Sequence, residues 1–198
     1  KDKTLDPIFS QLEKAIKSST KLPRSSYNFS LDAFYGSRNR YKDDLRIIKE
    51  NYKSGRILDI GSAPYHLIYC LRKMGFSITG LDINPDEYKT FIQKHDLEII
   101  KADIEIDHLP FKDNTFDFII FNEVFEHMRI NPIFTLKEIR RILKPQGILM
   151  LTTPNLYALH KIIMFNLGMG FNDPYLQFEI LNRAGYMGHI REYSTREV

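Results

Sequence analysis

The segment Arg56-Ile-Leu-Asp-Ile-Gly-Ser-Ala-Pro-Tyr-His66 constrains this chain more than any other. Ile57 to Ile60 is an apolar run between Gly55 and Gly61, too short for a helix, and it predicts a buried strand. Gly61-Ser62-Ala63-Pro64 predicts a tight turn of small residues. His66 to Met74 resumes with helical spacing and stops at Gly75, a natural C-cap. A second strand, Phe76 to Leu81, ends in Asp82, about twenty residues beyond the turn. This is the first half of a nucleotide-binding βαβ unit. The small turn lets a ligand approach the backbone, the helix N-terminus offers free N–H groups, and Asp82 stands where such folds place a carboxylate on a ribose hydroxyl.

Two cofactors suit that geometry. A nicotinamide dinucleotide wants G-x-G-x-x-G, because its pyrophosphate sits against bare backbone. The three positions here are Gly61, Ala63 and His66, so only the first glycine survives. S-adenosylmethionine carries no phosphate and needs a less complete glycine set. The pattern Leu58-Asp59-Ile60-Gly61-x-Ala63-Pro64 resembles the first motif of class I S-adenosylmethionine-dependent methyltransferases, where a Gly-x-Ala-Pro variant also occurs. Tyr65 stands where that family usually has its last glycine, a departure that leaves room for a weakened cofactor site.

The chain has 198 residues, 43% apolar and 27% charged, which is enough apolar content for the core of one globular domain. Residues 1–56 carry a formal charge of +6 and residues 57–198 carry −3. Such a basic lobe is either a surface for an anionic partner or an ordinary solvated helical surface. The single cysteine, Cys70, excludes an intrachain disulfide and points to a reduced, cytoplasmic setting. No apolar run reaches transmembrane length. Residues 1–55 form an N-terminal helical cap: a helix from Asp6-Pro7 to about Ser18, a polar linker to Ser26, then Leu31 to Lys53, broken near Gly36-Ser37. In the resembling family such helices close over the ligands, which makes Tyr27, Tyr35 and Arg38 candidates beside their packing role.

Residues 56–198 predict an α/β domain. A helix over Pro85–His95 is followed by a strand over Glu98–Ala102 that ends in Asp103. Phe116 to Phe121 is apolar enough for a strand buried on both faces. A helix over Asn131–Leu143 and a strand over Gly147–Leu151 complete the alternation. The expected fold is a Rossmann-like, mostly parallel sheet with helices on both faces and ligands at the strands' carboxyl ends. Lys101-Ala102-Asp103, Leu109-Pro110-Phe111-x-Asp113-x-x-Phe116-Asp117, Glu138-Ile139-x-Arg141-x-Leu143-Lys144-Pro145-x-Gly147 and Thr153-Pro154-Asn155 are similar to successive class I methyltransferase motifs, in family order. The resemblance implies a cofactor site built from Asp59, Gly61, Ser62, Ala63, Asp82, Ile83, Asp103, Ile104 and Asn122. In it Asp82 meets the ribose, Ile83 lies beside the adenine, Asp103 is near its amino group, and the Gly61 turn borders the methionine moiety.

Methyl transfer asks the protein mainly for positioning and exclusion of water, plus a base or metal where a hydroxyl must lose its proton. The Asp/Asn-Pro-Pro-Tyr signature of many amino- and base-methylating enzymes is absent after the fourth strand, where Asn122-Glu123-Val124-Phe125 stands, which favours oxygen or carbon over an exocyclic nitrogen as the acceptor atom, with oxygen the leading reading. If the next residues open a helix, Glu123, Glu126 and His127 share one face. Glu-x-x-Glu-His resembles a segment of two metal-using branches, one methylating small-RNA 3′ ends and one quinone-precursor hydroxyls, and His189 is this chain's nearest match to the further histidine of the RNA branch. The expected roles are catalysis by Glu126, His127 and His189, and an optional Mg²⁺ or Mn²⁺ held by Glu123, Glu126, His127 and His189. A small-molecule acceptor leads, with metal-assisted RNA methylation and a non-catalytic S-adenosylmethionine-binding module as alternatives. Leu156 to Phe171, with Lys161 its one charge, predicts a core-packing helix, or else a wall for an apolar substrate or a segment that touches a membrane surface. The family fold adds an antiparallel strand pair not found before Val198, so a sheet edge open to a second copy or another partner is expected.

Overall fold

The computed structural model describes residues 5–19, 24–52, 54–170, 175, 179 and 188–198. Five strands, β1 (Arg56–Ile60), β2 (Ser77–Asp82), β3 (Ile99–Lys101), β4 (Phe116–Asn122) and β5 (Leu143–Thr152), form one sheet in the order β3-β2-β1-β4-β5. All neighbouring pairs are parallel. Strand order therefore reverses between β1 and β4, and a ligand crevice belongs at the carboxyl ends of those two strands.

Side-chain alternation in β1 and β4 divides the core into two layers. Ile57, Phe118 and Ile120 join one cluster, while Leu58, Ile60, Ile119 and Phe121 join the other. The first layer is covered by α1 (Asp6–Lys17), α2 (Arg24–Gly36), α3 (Arg38–Asn51) and α4 (His66–Lys73). Phe9, Leu12, Ile16, Phe34, Leu45, Ile48 and Ile68 bury fully there, so the N-terminal helices share a core with the sheet. Helix α5 (Lys89–Lys94) adds Phe91 to the same layer. The second layer is covered by α6 (Pro132–Ile142), through Ile139 and Ile142. At about 1.5–3 kcal/mol for each fully buried side chain of this size, the cap contributes substantially to the fold.

Helix ends follow local chemistry. Gly75 has φ +87°, and α4 closes with Gly75 N–H donating to Arg72 O (3.0 Å) and Phe76 N–H to Leu71 O (3.0 Å). At the start of α6, Asn131 Oδ1 accepts from Phe134 N–H at 3.0 Å, with Pro132 in the first turn. The motif residues Glu138 and Arg141 brace a loop. Arg141 donates to Leu109 O, Phe111 O and Asp113 Oδ1 at 3.0, 2.8 and 2.9 Å, and is forked onto Glu138 at 2.9 and 2.8 Å. That guanidinium holds the Glu138 carboxyl down to about 2.

Several local expectations change. Residues 85–95 divide into a 3-10 turn, Pro85–Tyr88, and the short α5. Helix α2 begins at Arg24, inside the predicted linker. Helix α7 (Leu159–Asn166) exists but has no buried residue, so the core-packing expectation is wrong. Leu159, Ile163 and Phe165 are more than half exposed; Phe171 lies outside the described residues. The stretch after β4 is not a helix. Glu123 has φ +55°, and only Phe125–His127 forms a 3-10 turn, so Glu123 is turned away from the face predicted for it. No helix among the described residues is long and apolar enough to cross a membrane.

Candidate active site

The turn after β1 has the backbone its composition predicts. Gly61 has φ +69°, and a Cβ added there would run into the Val124 side chain, so both conformation and space require glycine. Ala63 N–H donates to Asp82 Oδ2 at 3.0 Å, and Asn84 N–H donates to Asp82 Oδ1 at 3.0 Å. The carboxylate at the end of β2 thus clamps the turn as well as facing the cleft. Tyr65 takes the left-handed backbone, φ +68°, that a glycine would adopt freely. Its ring is fully buried and packs edge-on against Tyr88 at 5.4 Å between centroids, within the core layer under α4.

Beside the turn lies a cleft of about 140 Å³, bordered by Gly61, Asp82, Ile83, Asp103, Ile104 and Val124. Ile83 is exposed on its rim. Asp103 Oδ1 accepts from Glu105 N–H at 2.9 Å and so caps its own loop while walling the cleft. Ser62 is buried, its hydroxyl 3.4 Å from Leu81 O. Of the sequence-predicted cofactor residues, Gly61, Asp82, Ile83, Asp103 and Ile104 therefore meet at this cleft, while Asp59, Ser62, Ala63 and Asn122 do not border it. A second hollow, about 370 Å³, lies beside Arg72, Gly75 and His95 and borders none of them.

A buried acidic cluster joins the ends of β1 and β2 to α3. Asp59, Asp82 and Asp44 of α3 are all buried. Burial, then the charges of Asp44 and Asp82, push Asp59 well above the usual carboxylate range. Asp82 is raised by burial, against the pull of its two backbone N–H donors. Burial carries Asp44 up to about 6, with the Arg40 guanidinium and the Asn122 amide beside it pulling down. Asn122, at the end of β4, has both amide atoms buried, with the Asp44 carboxyl beside them. A buried amide next to clustered carboxyls fits a ligand that carries positive charge and hydrogen-bonding groups. The ammonium and sulfonium of S-adenosylmethionine are such groups, and the Gly61 turn leaves backbone open to it.

Arg40 of α3 also reaches the end of β4: its Nη1 lies 3.1 Å from Glu123 Oε2. Glu123 Oε1 accepts from Thr152 Oγ1 at 2.9 Å. The expected cap residues go elsewhere. Tyr35 donates to Glu13 Oε1 at 2.8 Å, and the Arg38 guanidinium lies 5.7 Å from the ring centres of Phe9 and Phe34. The Tyr27 side chain lies outside the described residues.

Across the cleft, residues 188–193 return to the strand ends as expected. Ile190 N–H donates to Glu126 O at 2.9 Å, and Leu156 N–H to Tyr193 O at 2.9 Å. Tyr193 packs on Phe125 with centroids 4.7 Å apart. This docking brings His189 beside His127, their ring centres 5.1 Å apart, and both beside Glu126. Of the four residues expected to converge, Glu123 is the one outside the group.

Residues 58–151 match the family model described as a methyltransferase domain. An uncharacterised protein of Methanocaldococcus jannaschii is 39% identical over 125 residues, covering 63% of this chain and 52% of that protein. The chain spans about half the length of the curated relatives it matches. Among solved structures, the PH0226 protein of Pyrococcus horikoshii aligns at TM-score 0.55 and 27% identity, over 67% of this chain and 63% of that one. A SAM-dependent methyltransferase from Archaeoglobus fulgidus aligns at 0.58 and 24% identity, over 80% and 74%, a likeness of fold. Residues 58–151 thus match a methyltransferase domain, and the sheet order and the Gly61 turn are those of a Rossmann-like fold.

Proposed function

We propose that this chain is the catalytic domain of a cytoplasmic enzyme that methylates an oxygen atom of a small-molecule acceptor. The observation that carries the reading is the buried acidic cluster of Asp44, Asp59 and Asp82 with the buried Asn122 amide beside it, near the strand ends where Glu126, His127 and His189 lie. When bound, S-adenosylmethionine supplies a methyl group on a sulfonium with a good leaving group. Asp82 would hold the ribose hydroxyls, Ile83, Asp103 and Ile104 would border the base, and Asp59, Ser62, Ala63 and Asn122 would hold the methionine end. The carboxyls favour the cationic form there, because low-dielectric surroundings strengthen their field.

The acceptor's proton is the second task. His127 Nδ1 is 3.1 Å from Gly188 O, an atom that only accepts, so Nδ1 carries the hydrogen and Nε2 the lone pair. His189 Nδ1 is likewise held by Glu192 Oε1 at 3.1 Å. Either imidazole can take a hydroxyl proton at Nε2, with Glu126 stabilising the imidazolium. A cation such as Mg²⁺ or Mn²⁺ at Glu126, His127 and His189 is the alternative means of acidifying that hydroxyl.

An RNA acceptor draws on the basic cap. Three of the cap's cations are already paired with its own acids, Lys42 with Asp6 at 2.7 Å, Lys17 with Glu13 at 2.6 Å and Arg46 with Asp43 at 3.1 Å, which favours the small-molecule reading. A non-catalytic module draws on Tyr65, whose ring faces the core rather than the cleft. Incubation with methyl-labelled S-adenosylmethionine and a panel of phenols, hydroxy acids, amines and short RNAs tests the proposal. Label in phenols or hydroxy acids supports it; label confined to amines or RNA contradicts the acceptor class. A panel that stays unlabelled, with cofactor binding intact, favours the binding module.

A further inference from the structure

We propose that Asp44, contributed by α3 of the N-terminal cap, is a specificity residue of the cofactor site: its carboxylate makes the methionine end prefer the sulfonium of S-adenosylmethionine to the neutral thioether left after transfer. The inference rests on the cofactor reading and adds to it a residue outside the matched segment 58–151. The site itself is set by the fold, since strand order reverses between β1 and β4 and the carboxyl ends of those strands form the crevice.

Three buried acids from three elements converge there, Asp44 of α3, Asp59 of β1 and Asp82 at the end of β2. The charges that act on Asp59 are those of the other two. Asp44 lies beside the Asn122 amide, and the charges around it are Arg40 and Asp43 of its own helix and Glu123 after β4. Arg40 is the cation in that group, and its guanidinium is 3.1 Å from Glu123. Tyr41 keeps its proton, because burial raises its phenol to about 12. His66 of α4 packs edge-on against the Tyr41 ring and is held neutral by burial, at about 3. Carboxyls therefore outnumber cations in the cluster.

Acids packed this way resist full ionisation, because low-dielectric surroundings and like charge both favour the protonated forms. A cation brought among them is attracted by the carboxylates and draws a proton off the least firmly held of them. Burial raises Asp44 to about 6, while Asp59 is pushed well above its ordinary range, so Asp44 gives up its proton first. That proton passes from the carboxyl to solvent, and no bond of the cofactor changes. S-adenosylmethionine and S-adenosylhomocysteine share an ammonium and a carboxylate at the amino-acid end. The sulfonium is the charge that separates them, so the field of a buried carboxylate acts on that difference. Losing the charge on transfer loosens the product.

The test is calorimetric titration of wild type and Asp44→Asn with S-adenosylmethionine and with S-adenosylhomocysteine, at pH 6 and pH 8, each in two buffers of different ionisation heat. Wild type should release about half a proton per S-adenosylmethionine at pH 6 and close to none at pH 8, where Asp44 is already ionised. Asp44→Asn keeps the shape without the charge. It should abolish the release, weaken S-adenosylmethionine about tenfold and weaken S-adenosylhomocysteine about threefold or less. Melting curves establish that the variant is folded, and the wild-type proton count is read without any variant. Equal losses for the two ligands, no proton release by wild type at pH 6, or release unchanged in Asp44→Asn overturns the inference and leaves the cofactor reading standing. A wild type that binds neither ligand contradicts the cofactor reading, and the role of Asp44 falls with it.

Discussion

Arg40 Nη1 meets Glu123 Oε2 at 3.1 Å, joining a helix of the N-terminal cap to the residue just past β4. Asp44 lies one turn further along α3 and Asn122 beside Glu123. An exposed ion pair of this kind contributes about 0–1 kcal/mol to folding. Its role in this account is to hold the cap over the cofactor's methionine end.

Arg40→Ala should therefore change ligand binding more than stability. The expectation is S-adenosylhomocysteine affinity reduced about tenfold, with a melting temperature within about 2 °C of wild type. Unaltered affinity in calorimetry would remove Arg40 from the site.

Asp44 gives a pH prediction. Burial raises its carboxyl from the ordinary 3.8 to about 6, so the fold favours the protonated form. Stability is therefore lost as pH rises from about 4 through about 6, and levels off above. Asp44→Asn should remove that loss, raising the melting temperature at pH 7 by about 4–8 °C and at pH 4 by much less, while weakening S-adenosylhomocysteine binding. A mutant with the wild-type pH profile of stability would contradict the assignment.

Glu138 has the opposite sign. Arg141 holds its carboxyl down to about 2, so its contribution is present above about 4.5 and is lost as pH falls toward 2. Glu138→Gln should destabilise the domain by about 2 kcal/mol at pH 7 and progressively less at lower pH. Denaturant melts at pH 7 and pH 3 measure this; an equal effect at both would show that the charge is not the cause.

Tyr65 separates strain from function. Its hydroxyl is buried without a partner, so Tyr65→Phe should stabilise the fold by about 1 kcal/mol and leave cofactor affinity unchanged. Weaker S-adenosylhomocysteine binding by this variant would place the hydroxyl in the site after all.

What the sequence showed depended on how local the cause was. The Ile57–Ile60 run, the Gly75 cap and the Gly61 turn are set by neighbouring residues, and all three appear as read. The return of residues 188–193 was legible because family motifs fixed where the strand ends lie. Glu123 was misread because five residues with mixed signals cannot distinguish a helix from a turn entered through one left-handed residue. Arg40 was missed because its role depends on how α3 packs over β4, a contact between segments eighty residues apart. A signal was present in the i, i+4 spacing of Arg40 and Asp44, which places both on one face of that helix. The exposure of α7 likewise depends on what packs beside it, not on its own apolar composition.

The most direct test of the central claim is calorimetric titration of the wild-type chain with S-adenosylhomocysteine and, separately, with NAD. The account predicts one S-adenosylhomocysteine per chain at micromolar affinity, weakened by roughly 1–3 kcal/mol in a folded Asp82→Ala variant, and no binding of NAD. NAD binding in the same range, or no heat from S-adenosylhomocysteine at millimolar concentration, would contradict it.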